Sequence, residues 1–127
     1  MPRITVATNV FLNKERKYKM MVEMQKAIEI IPCESGAVLM TEIRDEAFML
    51  FGEDDANAPC ASIDIAVIDE VYDKYDKCYF DKVMAEMTAI VSKYSGIPGN
   101  RIFAYFRNAK VWAYDGKNIL DGLISLD

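Results

Sequence analysis

Histidine is absent from this chain, and every chemistry that needs an imidazole goes with it: His-ligated zinc, Ser-His-Asp and Cys-His nucleophiles, and the ordinary near-neutral proton shuttle. Any general base must be another group. Cysteine is scarce. Cys33, Cys60 and Cys78 are odd in number, lie far apart and form no C-x-x-C, so they are expected to be free thiols in a reducing compartment, packed as small apolar side chains. No apolar run of signal-peptide or membrane length occurs, because Met1-Pro2-Arg3 leads straight into an alternating segment; the expectation is a cytoplasmic protein with no membrane partner. Charge of one sign is weak as well. With 15 Lys plus Arg against 20 Asp plus Glu the net charge is −5, and the basic residues are scattered, so nucleic acid is not an expected partner. There is no glycine-rich phosphate loop, and the pair Asp54-Asp55 lacks further oxygen ligands at calcium-loop spacing. Neither a metal nor a cofactor is expected.

What the chain does have is apolar material in regular periods. Its 127 residues, 52% of them hydrophobic, suffice for one domain over 1–127 with a core that needs no staple. Ile4, Val6, Thr8 and Val10 alternate with Thr5, Ala7 and Asn9, the period of a strand. Asn13 is placed to cap a helix whose apolar stripe is Met20, Met21, Met24, Ala27, Ile28 and Ile31, ended by the segment from Pro32 to Gly36. An extended stretch from Ala37 to Ile43 and an apolar patch from Phe48 to Gly52 follow. The second half repeats the plan: a strand from Ala61 to Ile68, a charged turn from Asp69 to Asp76, then a helix carrying Phe80, Val83, Met84, Met87, Ile90, Val91 and Tyr94 with a left-handed stop at Ser95-Gly96. A strand from Ile102 to Phe106 and a short hairpin around Asp115-Gly116 close it.

The expected class is α/β (α+β): two β-α-β units, offset by about sixty residues, forming one four-stranded sheet with two helices on one face. Each unit pairs its strands in parallel through the helical crossover. The strand from Ala61 to Ile68 carries apolar residues on both parities, with Ala66 and Ile68 opposite Ile63, Ile65 and Val67, so a second buried face covered by other subunits is expected. The alternative cover is the tail at 120–126, which is short.

Four features in order along the chain carry a resemblance. They are Met1-Pro2 before a strand ending Thr8-Asn9-Val10; Phe51-Gly52 followed by Pro59-Cys60-Ala61; Ile97-Pro98 with Arg101-Ile102 at the entry to the fourth strand; and Trp112 with Asp115-Gly116. In these the chain resembles the tautomerase superfamily, in particular the macrophage migration inhibitory factor family. The resemblance implies a homotrimer whose sheets form a central barrel, with sites between subunits, and an isomerase that interconverts keto and enol forms of a small enolisable substrate. It implies that Met1 is removed and that the Pro2 amine is the general base, an amine being neutral at pH 7 once apolar walls lower its pKa. From the residues alone Pro2 reads as the start of an edge strand, where proline is tolerated.

The resemblance further places Ile68 where a backbone N–H meets the substrate, Trp112 in the pocket wall, and Phe103 and Tyr105 at positions contributed by the neighbouring subunit. The family's carboxylate-binding lysine after the first helix has no equivalent in Pro32-Cys33-Glu34-Ser35-Gly36, where Glu34 inverts the charge. Arg3, Arg107 and Lys110 are the candidates to supply that cation. Two alternatives stand beside this reading: a superfamily decarboxylase or dehalogenase, and a non-catalytic signalling or scaffolding trimer of the same fold.

Overall fold

The computed structural model of the chain describes residues 2–53, 55 and 57–119. Met1, the Asp54 half of the carboxylate pair and the tail at 120–126 lie outside the described residues. The first alternating segment is strand β1, Arg3–Thr8, with Ile4, Val6 and Thr8 buried and Arg3, Thr5 and Ala7 half-buried on the other side. Helix α1, Lys14–Ala27, begins where the Asn13 side chain accepts the Arg16 backbone N–H at 2.8 Å, and it turns Met20, Met24 and Ala27 inward. Strand β2 is Met40–Arg44 and strand β3 is Ala61–Ile68. The charged turn expected from Asp69 to Asp76 contains a short helix α2, Asp69–Lys74. Helix α3, Lys77–Ser95, starts on the Asp76 side chain and stops at Gly96, whose φ of 77° is the left-handed value a glycine tolerates and whose N–H returns to Ser92 O. Strand β4, Ile102–Ala109, follows, and then a two-stranded hairpin, β5 at Ala113–Tyr114 and β6 at Lys117–Asn118. Asp115 and Gly116, with φ of 52° and 72°, make its turn.

The main sheet has the order β2-β1-β3-β4, with β1–β2 and β3–β4 parallel and β1–β3 antiparallel between them. This is the expected pair of β-α-β units, joined back to back through the first strand of each. The helices lie on one face, where Met20, Met24, Val83, Met87 and Ile90 close over Ile4, Val6, Ile63, Ile65 and Val67 in a continuous apolar core. Arg3–Thr8 and Ala61–Ile68 are further held at one end by polar side chains. Thr8 Oγ1 donates to Cys60 O at 2.8 Å, the Asn9 amide donates to Ala58 O, and Asn9 Oδ1 accepts the Cys60 N–H. That is the physical content of the Thr8-Asn9 and Pro59-Cys60-Ala61 features: buried backbone groups beyond the end of the ladder still find partners.

Two expectations are corrected, that of an apolar second face and that of three packed cysteines. The face away from the helices is polar, not apolar. Register places Glu42, Thr5, Asp64 and Tyr105 in one row across it, flanked by the rows of Arg3 with Arg107 and of Arg44 with Phe103. Ile68, read as apolar on that face, turns inward at the end of β3 and is 1% exposed. The apolar patch from Phe48 to Gly52 stands partly in solvent, with Phe48 100% exposed. Of the three free cysteines only Cys60 is buried. Among the described residues no helix is long and apolar enough to cross a membrane.

Candidate active site

Pro2 stands immediately before β1 and is buried. Its carbonyl accepts the Met40 backbone N–H at 3.3 Å, which extends the β1–β2 ladder to the start of the strand and holds the ring in place. A cleft of about 540 Å³ opens there. Pro2 and Arg3 form its base, residues 37–40 one wall and residues 112–114 the other. The first wall is set by a close backbone approach: a Cβ on Gly36 would come 2.2 Å from the Gln25 carbonyl oxygen, so only glycine lets the chain return across α1 at that point. The second wall is the base of the β5–β6 hairpin, closed by a bond from the Ile119 N–H to Trp112 O at 2.9 Å, with the Trp112 ring packed against the core. The walls are mainly apolar, from Val38, Leu39, Met40 and Trp112, and Arg3 is the charged group among them.

Arg3 is held. Nη1 donates to Thr5 Oγ1 and Nη2 to Glu42 Oε1 at 2.7 Å, the latter from the neighbouring strand. Glu42 also accepts from Arg44 through Nε and Nη2, both at 3.1 Å. The two guanidiniums, Arg44 first and Arg3 second, hold the Glu42 carboxyl below the usual carboxylate value.

The structure brings Pro2, Arg3 and Trp112 together and leaves the other candidates apart. Ile68 caps α2, pairs with Ala109 and does not line the cleft. Phe103 and Tyr105 are on β4, two strands from β1, and neither lines the cleft. Phe103 stands against Phe51 with ring centroids 5.1 Å apart. The Tyr105 hydroxyl donates to Asp64 Oδ2 at 3.1 Å, and burial, then that bond, raises its pKa. Arg107 Nε donates to the same carboxylate at 2.9 Å, and Lys110 is exposed. Tyr105 lines a separate hollow of about 630 Å³ between β4 and helices α2 and α3, together with Tyr72, Tyr75 and Phe80. Glu34, at the position of the missing lysine, is 6% exposed. The neighbouring Cys33 thiol faces its Oε1 at 3.8 Å and is pushed up, first by burial and then by that carboxylate. Met40, Glu42 and Tyr114 are not legible as site residues in the sequence, since their places depend on strand register and on where the hairpin folds back. No group of three or more potential metal ligands occurs among the described residues.

The four-stranded sheet built from two β-α-β units, with its helices on one face, is similar in fold to solved macrophage migration inhibitory factors. MIF2 of Leishmania major superposes with a TM-score of 0.81 at 19% identity, covering 93% of this chain and 97% of that one. The macrophage migration inhibitory factor of Toxoplasma gondii gives 0.77 at 19% identity, over 91% and 98% of the two chains. Pt0534, whose structure was determined after inactivation by 2-oxo-3-pentynoate, gives 0.79 at 12% identity, over 94% and 98%. No protein-family model and no curated protein matches the sequence.

Proposed function

We propose that this protein is a tautomerase-type isomerase in which the Pro2 amine, freed by removal of Met1, is the base for keto–enol interconversion of a small carbonyl substrate, in a homotrimer. The observation that carries the reading is the place of Pro2: a buried residue whose carbonyl is tied to the Met40 N–H, at the base of an apolar cleft that Arg3 also lines. In the forward direction the amine takes a proton from the carbon next to the carbonyl, and that C–H electron pair becomes the C=C bond. The carbonyl π pair moves to oxygen, which takes a proton from water while the proton on the Pro2 amine returns to solvent, leaving the enol and the neutral amine; the reverse reaction delivers a proton from the Pro2 ammonium to carbon. No oxidant, metal or second substrate is consumed. The inactivator of Pt0534 is by its name a 2-oxo acid conjugated to an alkyne, and it supports the keto acid class of substrate. The free thiols support a reducing, cytoplasmic setting.

Trimer formation is supported by apolar side chains that the chain leaves in the open, Phe48 at 100%, Leu50 at 58% and Phe103 at 63% exposure. In that assembly Phe103 and Tyr105 would meet the Pro2 cleft of a neighbour. One observation favours the non-catalytic trimer, namely that buried Glu34 stands where the resemblance implies a cation.

The test compares protein of verified intact mass with and without Met1 on phenylpyruvate, and maps the residue labelled by 2-oxo-3-pentynoate. The processed form is expected to turn over and to be labelled at Pro2, and the Met1-retaining form, whose Pro2 nitrogen is an amide, to do neither. Equal turnover by both forms, or none by the processed form, would overturn the reading.

A further inference from the structure

We infer that Arg3 is the residue that selects an anionic substrate at the Pro2 cleft, and that Glu42 is a built-in competitor that tunes how tightly the anion is held. The inference rests on the reading of this cleft as the substrate site.

Of the three candidate cations, only Arg3 lines the cleft. Arg107 is matched by Asp64, whose side chain is 17% exposed, and Lys110 stands outside on the surface. Arg3 also has capacity to spare. A guanidinium offers five N–H donors; Thr5 takes one at Nη1 and Glu42 one at Nη2, and neither bond uses Nε. The charges point the same way. One carboxylate, Glu42, is shared by two guanidiniums, with Oε1 accepting from both Arg3 and Arg44 and Oε2 from Arg44 alone. The cluster of Arg3, Arg44 and Glu42 therefore carries one positive charge in excess, in a chain whose net charge is −5, and Arg3 is its member that lines the cleft. A substrate carboxylate can take the free N–H groups of Arg3 with the two-point geometry that suits a guanidinium.

The shared carboxylate has a second effect. Glu42 occupies part of the Arg3 fork and lowers the local potential that an incoming anion feels, while Arg44 draws Glu42 the other way through two bonds of its own. Removing the Glu42 charge without changing its shape should therefore strengthen anion binding, whereas removing Arg3 should weaken it. A role in folding alone would move both variants in the same direction.

Trp112 makes the test independent of turnover, because it is the only tryptophan in the chain and forms part of the cleft wall. Processed protein is titrated with phenylpyruvate and with its methyl ester, binding being read from Trp112 fluorescence and turnover measured in parallel. Parent protein is expected to bind the acid more tightly than the ester. Arg3→Met is expected to reduce that acid-to-ester preference by about fivefold, the loss of one charge-assisted contact at a partly exposed site. Arg3→Lys is expected to recover part of it, and Glu42→Gln to raise it above the parent. An acid-to-ester preference that is absent in the parent, is undiminished in Arg3→Met or falls in Glu42→Gln would overturn the inference. A preference that depends on Arg3 in a protein without turnover would overturn the catalytic reading of Pro2 and leave the anion site standing.

Discussion

The Met40 N–H reaches the Pro2 carbonyl at 3.3 Å, one residue before the Arg3–Met40 pair that begins the β1–β2 ladder. The pairing carries the order of the sheet onto the first described residue. Pro2 is thereby tied to a parallel neighbour that follows the close contact of Gly36 with α1. Pro2, the Arg3 fork and the wall at 37–40 are therefore one mechanical unit, and changes at one are expected at the others.

Gly36→Ala tests that unit. The added methyl cannot be accommodated 2.2 Å from the Gln25 carbonyl oxygen, so the return of the chain must shift. A loss of about 1–3 kcal/mol in unfolding free energy is expected from urea titration, as for other overpacked sites. Because residues 37–40 wall the cleft, a rise in KM for phenylpyruvate should accompany it.

The turn after β2 offers a pH test. Asp45 accepts the Leu12 N–H at 3.0 Å and pairs with Lys17 at 2.7 Å, and these partners, the Leu12 N–H first, hold its carboxyl below the ordinary value. A carboxyl depressed by folding contributes stability above its unfolded pKa of about 3.9 and loses it as pH falls through the lower folded value. Asp45→Ala should therefore cost about 1–3 kcal/mol at pH 7. Thermal unfolding of the two proteins should show the difference narrowing only below about pH 4.

Tyr105→Phe removes the donor to Asp64 but leaves Arg107 on the same carboxylate. Stability should fall by about 0.5–1.5 kcal/mol or less, and the oligomeric state should not change. If the hydroxyl serves a neighbouring subunit's cleft, turnover falls as well; an unchanged rate assigns Tyr105 to the sheet alone.

Light scattering should give three chains per particle at micromolar concentration. Placing a charge at the two most outward apolar positions of the β2–β3 connection, Phe48→Asp with Leu50→Asp, should yield monomers of native circular dichroism, because both side chains are already in solvent within one chain. A parent protein that scatters as a monomer would rule out any site built across subunits.

The periodic parts of the chain are legible in its sequence. Asn13 as a cap, Gly96 as a stop, the stripes on α1 and α3 and the Asp115-Gly116 turn all depend on neighbours within a few residues, and each is found as expected. Pro2 and Trp112 are readable as candidates through the family resemblance, and the fold gathers them at one cleft. Arg3, by sequence, is one of three equal cations, because nothing local separates it from Arg107 or Lys110.

Local sequence thus determined the strands of the main sheet and the two long helices with their buried sides, since period, capping and left-handed glycine are short-range effects. Only the tertiary structure decided which residues share a row and which apolar ones find cover. Arg3 meets Glu42 because the parallel register of strands separated by a whole helix is set by the Gly36 contact and by core packing, and alternation alone names a face but never a partner. Phe48 and Leu50 have the composition of a buried patch yet stand in solvent, because hydrophobicity fixes the gain from being covered and leaves open whether the covering surface belongs to the same chain.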